Sequence, residues 1–207
     1  MLSLDVLAAL CAFSFASSIT PGPNNLMLMA SGMNFGFART LPHLLGVSIG
    51  FTVMILMVGA GLAQIFKSFP IAVIALKAVG AMYMAYLAWH LATAVPATGD
   101  DAVARPAGKP ITFLQAALFQ WVNPKAMVMA LTAVVTYVPP DNQLTGLIQV
   151  ALVFGAINMP CVGLWSLLGM HLRRFLRNAF WMRAFNITAA VLLLASLYPM
   201  LKTQITQ

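Results

Sequence analysis

Two short stretches carry the residues in this chain that could do chemistry: Thr20-Pro21-Gly22-Pro23-Asn24-Asn25 and Asn123-Pro124-Lys125. Both lie inside long apolar segments. Pro21 and Pro23 deny hydrogen bonds to the carbonyls of Ser17 and Ile19, and Pro124 denies one to Gln120. In hydrocarbon, carbonyls released in this way need protein, water or a ligand. Asn123 before Pro124 is a favourable N-cap followed by the favoured first-turn proline, and Thr20-Pro21 or Gly22-Pro23 repeats the arrangement. Each break therefore starts a new half-helix. The free N–H groups and partial positive charge of such an end suit an anion such as a carboxylate. Lys125 adds a full charge about 18 Å along a straight helix from Phe113, too deep for easy snorkelling. An unpaired lysine there costs about 2.5–3.5 kcal/mol on insertion scales, so a cavity, counter-ion or substrate should compensate it.

The elements that must position these residues are membrane helices. Of 207 residues, 61% are apolar and 7% charged, and the mean hydropathy is +0.91, which excludes a soluble globular domain. Six apolar stretches each approach the roughly 20 residues a span requires: Leu4 to Met29, Leu41 to Phe66, Ile71 to Val95, Phe113 to Val138, Leu144 to Met170 and Ala184 to Leu201. The first has no basic leader and runs on past Asn25, so it reads as an uncleaved span and not as a secretory signal. The expected fold is an all-α integral membrane protein of six transmembrane helices, arranged as two inverted three-helix repeats with spans one and four broken at proline. Residues 1–95 form the first half, 96–110 a flexible loop, and 111–207 the second half. An odd number of spans per half forces the second half to insert upside down relative to the first. At an offset of 100, Phe13, Ala16, Met27, Met29, Ala30, Leu44 and Gly46 recur as Phe113, Ala116, Met127, Met129, Ala130, Leu144 and Gly146, and the two proline breaks fall in that register. Paired broken helices of this kind point to a transporter with its site near the midplane.

The net charge of +7 is a topology signal and not a nucleic-acid footprint. Loops after spans one, three and five hold Arg39, Arg105, Lys109, Arg173, Arg174, Arg177 and Arg183, against Lys67 and Lys202 on the other side. The bias places the first set in the cytoplasm and both termini outside. No Glu occurs, Asp5, Asp100, Asp101 and Asp141 lie at span edges or in loops, and the three histidines are scattered, so neither an enzyme site nor a metal cluster is expected and no cofactor is implied. Cys11 and Cys161 read as small core residues.

Further candidates have two readings each. Lys77 either snorkels from about 9 Å inside the third span or faces the cavity. His43 and His90 could move protons, though histidines close to span ends more often sit among headgroups. Asn158, followed by Pro160, could wall the cavity or mark a kink. The pairs Gly32 and Gly36, and Gly46 and Gly50, form small-residue faces for close helix contact, within one chain or in a homo-oligomer.

The first break, the glycines Gly32, Gly36, Gly46 and Gly50, the stretch Leu76-Lys77-Ala78-Val79-Gly80-Ala81-Met82-Tyr83, and Asn123-Pro124-Lys125 together resemble the LysE/RhtB family of amino-acid exporters over essentially the whole chain. A departure is Thr188-Ala189-Ala190 in the last span, where a glycine-containing pattern is expected. The resemblance implies efflux of small amino acids or their derivatives across the bacterial inner membrane, driven by an ion gradient, usually of protons. It also favours Lys77 as functional. With no embedded acid to pair a cationic side chain, a neutral or small polar substrate is expected, its carboxylate near Lys125 and its ammonium on asparagine side chains and released carbonyls. A channel and a non-catalytic accessory subunit are the alternatives.

Overall fold

The computed structural model describes residues 2–62, 70–94, 109–173 and 179–198, with the side chain of Lys77 outside the described part. The expected loop after Val95 as far as Gly108, and the topological signals Lys67, Asp100, Asp101, Arg105, Arg174, Arg177 and Lys202, also fall outside the described residues. Among the described residues, the regular secondary structure is helical. In chain order the helices are α1 (Leu4–Ile19), α2 (Pro23–Phe35), α3 (Phe37–Met57), α4 (Pro70–Ala92), α5 (Phe113–Phe119), α6 (Pro124–Tyr137), α7 (Gln143–Leu172) and α8 (Ala179–Ala195). A wide helical turn, Val58–Leu62, extends α3 and contains Gly61, whose φ of 105° only glycine adopts readily.

Phe37–Gly61 and Gln143–Leu172 are each long and apolar enough to cross a bilayer alone. Two bent pairs pass the same test when each is joined: α1 with α2, bent by 56°, and α5 with α6, bent by 66°. Both bends fall at the proline breaks. The first span thus runs past the expected Met29 to Phe35, because the break spends helix length turning and the second piece must still reach the surface. Gly36, at φ 79°, then ends α2 and starts α3. It is a turn residue and not part of a helix-contact face, which corrects the Gly32/Gly36 reading. The last helix begins at Ala179, ahead of the expected Ala184, and is 17 residues long. Pro160 is accommodated within the 30-residue α7.

Helix directions follow from residue pairs. Phe13 stacks edge-on to Phe154 and Asn158 bonds Ser18, so α1 and α7 run parallel. Gly155 faces Thr52 and Gly163 faces Leu44, so α3 runs opposite to both. Small residues set the closeness of the packing. A methyl group on Gly32 would strike the Ser166 carbonyl, and one on Gly169 the Met29 carbonyl, so α2 and α7 meet backbone to backbone. Gly46 and Gly50 meet Phe113 and Ala117 of α5 in the same way, as their spacing predicts. Where the last span has Ala189 and Ala190, both are buried, and Ala190 packs with Met84 and Leu87 of α4. Polar contacts tie distant elements: Asn34 donates to Asn186 at 3.1 Å, joining α2 to α8.

Candidate functional site

The two breaks meet. Gly22 caps α2 with Pro23 at its first turn, and Asn123 caps α6 with Pro124 in the same place. The Asn123 carboxamide oxygen accepts from the Lys125 backbone N–H at 3.1 Å, which holds the first turn of α6 closed. Both amino-terminal ends line one cavity, together with Ser17, Ser18, Asn24, Asn25, Lys125 and Asn158. Phe51, Met129 and Val162 supply its apolar side. At about 20 Å³ the cavity holds about one water.

The carbonyls left by the prolines are all taken within the first break. The Thr20 hydroxyl donates to the Ser17 carbonyl at 2.9 Å, and Trp165 donates its indole N–H to the Ile19 carbonyl at 3.1 Å. Asn25 donates to the carbonyls of Ser18 and Thr20, both at 2.8 Å. The Lys125 ammonium crosses from the second break and donates to the Thr20 carbonyl at 2.7 Å, the Thr20 hydroxyl at 2.9 Å and the Pro21 carbonyl at 3.3 Å. These carbonyls end α1, where the helix dipole is negative, so the ammonium sits on favourable partial charge. A methyl group on Gly22 would lie 2.7 Å from the Lys125 Cδ, so the lysine stem holds its observed position only beside glycine.

Asn24 and Gln120 form the second bridge between the breaks. Asn24 donates to the Gln120 side-chain oxygen at 2.8 Å, and Gln120 donates back at 3.3 Å while holding the Ala116 carbonyl at 2.8 Å. Gln120 is wholly buried. At the back wall, Asn158 donates to the Ser18 hydroxyl at 3.0 Å, and its own carboxamide oxygen is buried without a partner. A buried acceptor in that condition costs about 1–3 kcal/mol unless a donor arrives.

The structure thus brings together Thr20, Pro21, Gly22, Pro23, Asn24, Asn25, Asn123, Pro124, Lys125 and Asn158. It does not bring His43 there. His43 lies fully buried in α3, less than two turns after its start at Phe37, with neither ring nitrogen bonded. Gln120, Ser18 and Trp165 join the site without having been singled out by sequence. Gln120 had a readable signal: it stands at the offset-100 counterpart of Thr20.

A helical membrane protein whose two broken helices turn their amino-terminal ends onto one polar cavity has the build of a transporter. This chain belongs to the LysE type translocator family, which matches residues 15–196. Among its relatives, the cysteine/O-acetylserine efflux protein of Escherichia coli O139:H28 (strain E24377A / ETEC) is 32% identical over 190 residues, covering 91% of this chain and 94% of that protein. The proteins of the same description from Escherichia coli (strain K12) and Shigella flexneri are each 32% identical over 189 residues, covering 91% of this chain and 93% of theirs. No solved structure matches the chain. The resemblance read from the breaks and the Lys77 stretch is therefore the family relationship, and the protein is an amino-acid exporter by family.

Proposed function

We propose that this protein is a proton-coupled secondary exporter of small neutral or polar amino acids and their derivatives, with cysteine and O-acetylserine the favoured substrates. The observation that carries the reading is the Lys125 ammonium reaching from one break to the carbonyls of the other beside two helix amino-terminal ends. A substrate carboxylate competes for that ammonium and for the free N–H groups of α2 and α6. Once it takes the ammonium, Thr20 and Pro21 are released and the breaks can move apart. The substrate ammonium in turn supplies the donor that the buried Asn158 oxygen lacks. Phe51, Met129 and Val162 then face a short, uncharged side chain. The substrates for which the relatives are named, cysteine and O-acetylserine, have such side chains and are zwitterionic.

The chain is placed in the bacterial inner membrane with Arg39, Lys109, Arg173 and Arg183 cytoplasmic and both termini outside. The six-span, inverted-repeat reading, with halves at 1–95 and 111–207, is supported by the equivalent positions of the two bends and by the opposed directions of α3 and α7, the second span of each half. Lys77 remains a proposed cavity or coupling residue on the strength of the family pattern, and His43 a proposed proton carrier. Counterflow of labelled O-acetylserine and cysteine in proteoliposomes, with and without an imposed pH gradient, tests the reading. Saturable counterflow accelerated by the gradient is expected. Flux that never saturates indicates a channel, and no flux indicates an accessory subunit.

A further inference from the structure

A second and much larger cavity, of about 590 Å³, opens between α2, α4 and the start of α5. Its wall on α2 is Met27, Ala30, Ser31, Asn34 and Phe35, one continuous helix face, and α4 contributes Tyr86, Leu87, His90 and Leu91. Its rim carries the exposed groups Lys109 and His90, and Arg39 lies nearby over the Phe35 ring at 5.5 Å. Among the described residues, no Asp or Glu lines it. The cavity is therefore at the end of the bundle where the basic residues gather, and it attracts anionic groups.

Its floor lies close to the broken-helix site. Met27 lines the large cavity and Asn24 the small one, three residues apart on α2, or about 5 Å along the helix. Gln115 lines the large cavity, and Gln120 lies little more than a turn further on, paired with Asn24. Between them pack Met27 and the fully buried Phe119. The Asn24–Gln120 amide pair is the polar part of this partition.

We propose that the large cavity is the substrate's access vestibule, where Lys109 and His90 draw in the carboxylate of a small amino-acid zwitterion, and that the Asn24–Gln120 pair is the gate between it and the central site. The inference deepens the export reading and rests on it. A reciprocal amide pair suits a gate: it seals a low-dielectric partition with every group bonded, yet each amide can transfer its bonds to a passing ammonium or carboxylate.

The test uses the full chain with Cys11 and Cys161 replaced by alanine, in everted vesicles that expose the basic face. Leu91→Cys, in the vestibule wall, is expected to react with a bulky membrane-impermeant maleimide, and O-acetylserine counterflow to fall at least tenfold on modification. Unchanged counterflow after complete modification overturns the vestibule while leaving export established by the same measurement. Ala126→Cys, in the central cavity, is expected to be protected from that face and to react at least tenfold faster when Gln120→Ala is added. Asn24→Ala opens the same partition from its other side and serves if Gln120→Ala does not fold. Equal reactivity of the Ala126→Cys thiol with the pair intact and broken overturns the gate. Replacing Lys109 and His90 together by glutamine is expected to raise the KM for export several-fold at unchanged maximal rate, and an unchanged KM removes the carboxylate dock at the rim.

Discussion

The Lys125 ammonium lies 2.7 Å from the carbonyl oxygen of Thr20, a residue 105 positions earlier in the chain. The Asn25 side chain donates to the same oxygen at 2.8 Å. Asn25 and Lys125 stand 100 positions apart, in the first turns of α2 and α6, so one carbonyl gathers a donor from each break. The lysine ammonium is thereby hydrogen-bonded on three neutral oxygens, with no acidic partner among the described residues. Its bonds are to neutral carbonyls and a hydroxyl, which a carboxylate can displace.

Lys125→Ala removes the three bonds to Thr20 and Pro21 and the charge that competes for a carboxylate. Efflux is expected to fall by at least tenfold while the protein inserts and purifies normally. Normal export by a correctly inserted variant would remove Lys125 from the mechanism. Lys125→Arg is expected to recover little, because the planar guanidinium is wider than the space beside Gly22.

Gly22→Ala places a methyl group 2.7 Å from the Lys125 Cδ. The lysine stem is flexible and shifts, so the fold survives and the ammonium leaves the Thr20 carbonyl. Transport several-fold below the parent, with thermal stability changed by less than about 1 kcal/mol, is the expected outcome. Equal transport by the two proteins would show that the stem's position is unimportant.

Asn158→Leu deletes the unpartnered oxygen and the bond to Ser18. Loss of the acceptor for the substrate ammonium is expected to raise the KM for O-acetylserine about tenfold, the worth of about 1.4 kcal/mol. A deaminated analogue that keeps the carboxylate should lose little. Equal losses for both compounds would place Asn158 outside the ammonium site.

Asn123→Ala removes the cap of α6 and is expected to cost about 1 kcal/mol of stability, read from thermal unfolding in detergent. Asn123→Asp keeps the cap and should restore stability. Loss of stability in both variants would show that Asn123 acts through something other than capping.

Gly32→Leu drives a side chain into the Ser166 carbonyl at the α2–α7 contact and is expected to prevent accumulation of folded protein. Gly36→Ala meets no neighbour and strains only its own backbone at φ 79°, so a loss of about 1–2 kcal/mol with retained folding is expected. Comparing folded yields of the two variants distinguishes collision from strain.

Much of this architecture was legible in the chain because the solvent imposes strong rules. Apolar length marks spans, proline inside a span marks a break, and an asparagine before proline marks a new helix start, so Asn123 and Pro124 could be placed in advance. Gly46 and Gly50 were legible as a contact face for the same reason. Gly36 was misjudged because spacing does not distinguish a glycine needed for closeness from one needed for a positive φ. The full burial of His43 was not legible, because hydropathy gives depth along a span but not which side faces protein. Gln120 is marked in the sequence only by its register with Thr20, and its meaning lies in Asn24, 96 residues away.

Sequence alone determined that the chain is a helical membrane protein, where its two helices break, and that a lysine sits at the second break, since each follows from local covalent chemistry and from the absence of water in a bilayer. Only the tertiary structure decided that the Lys125 ammonium grips the carbonyls of Thr20 and Pro21, that Asn24 and Gln120 pair with each other, and that the Asn158 oxygen is left bare. Those facts depend on which faces of separate helices meet. Packing of small residues across the whole bundle fixes that choice, and no stretch of neighbouring residues contains it.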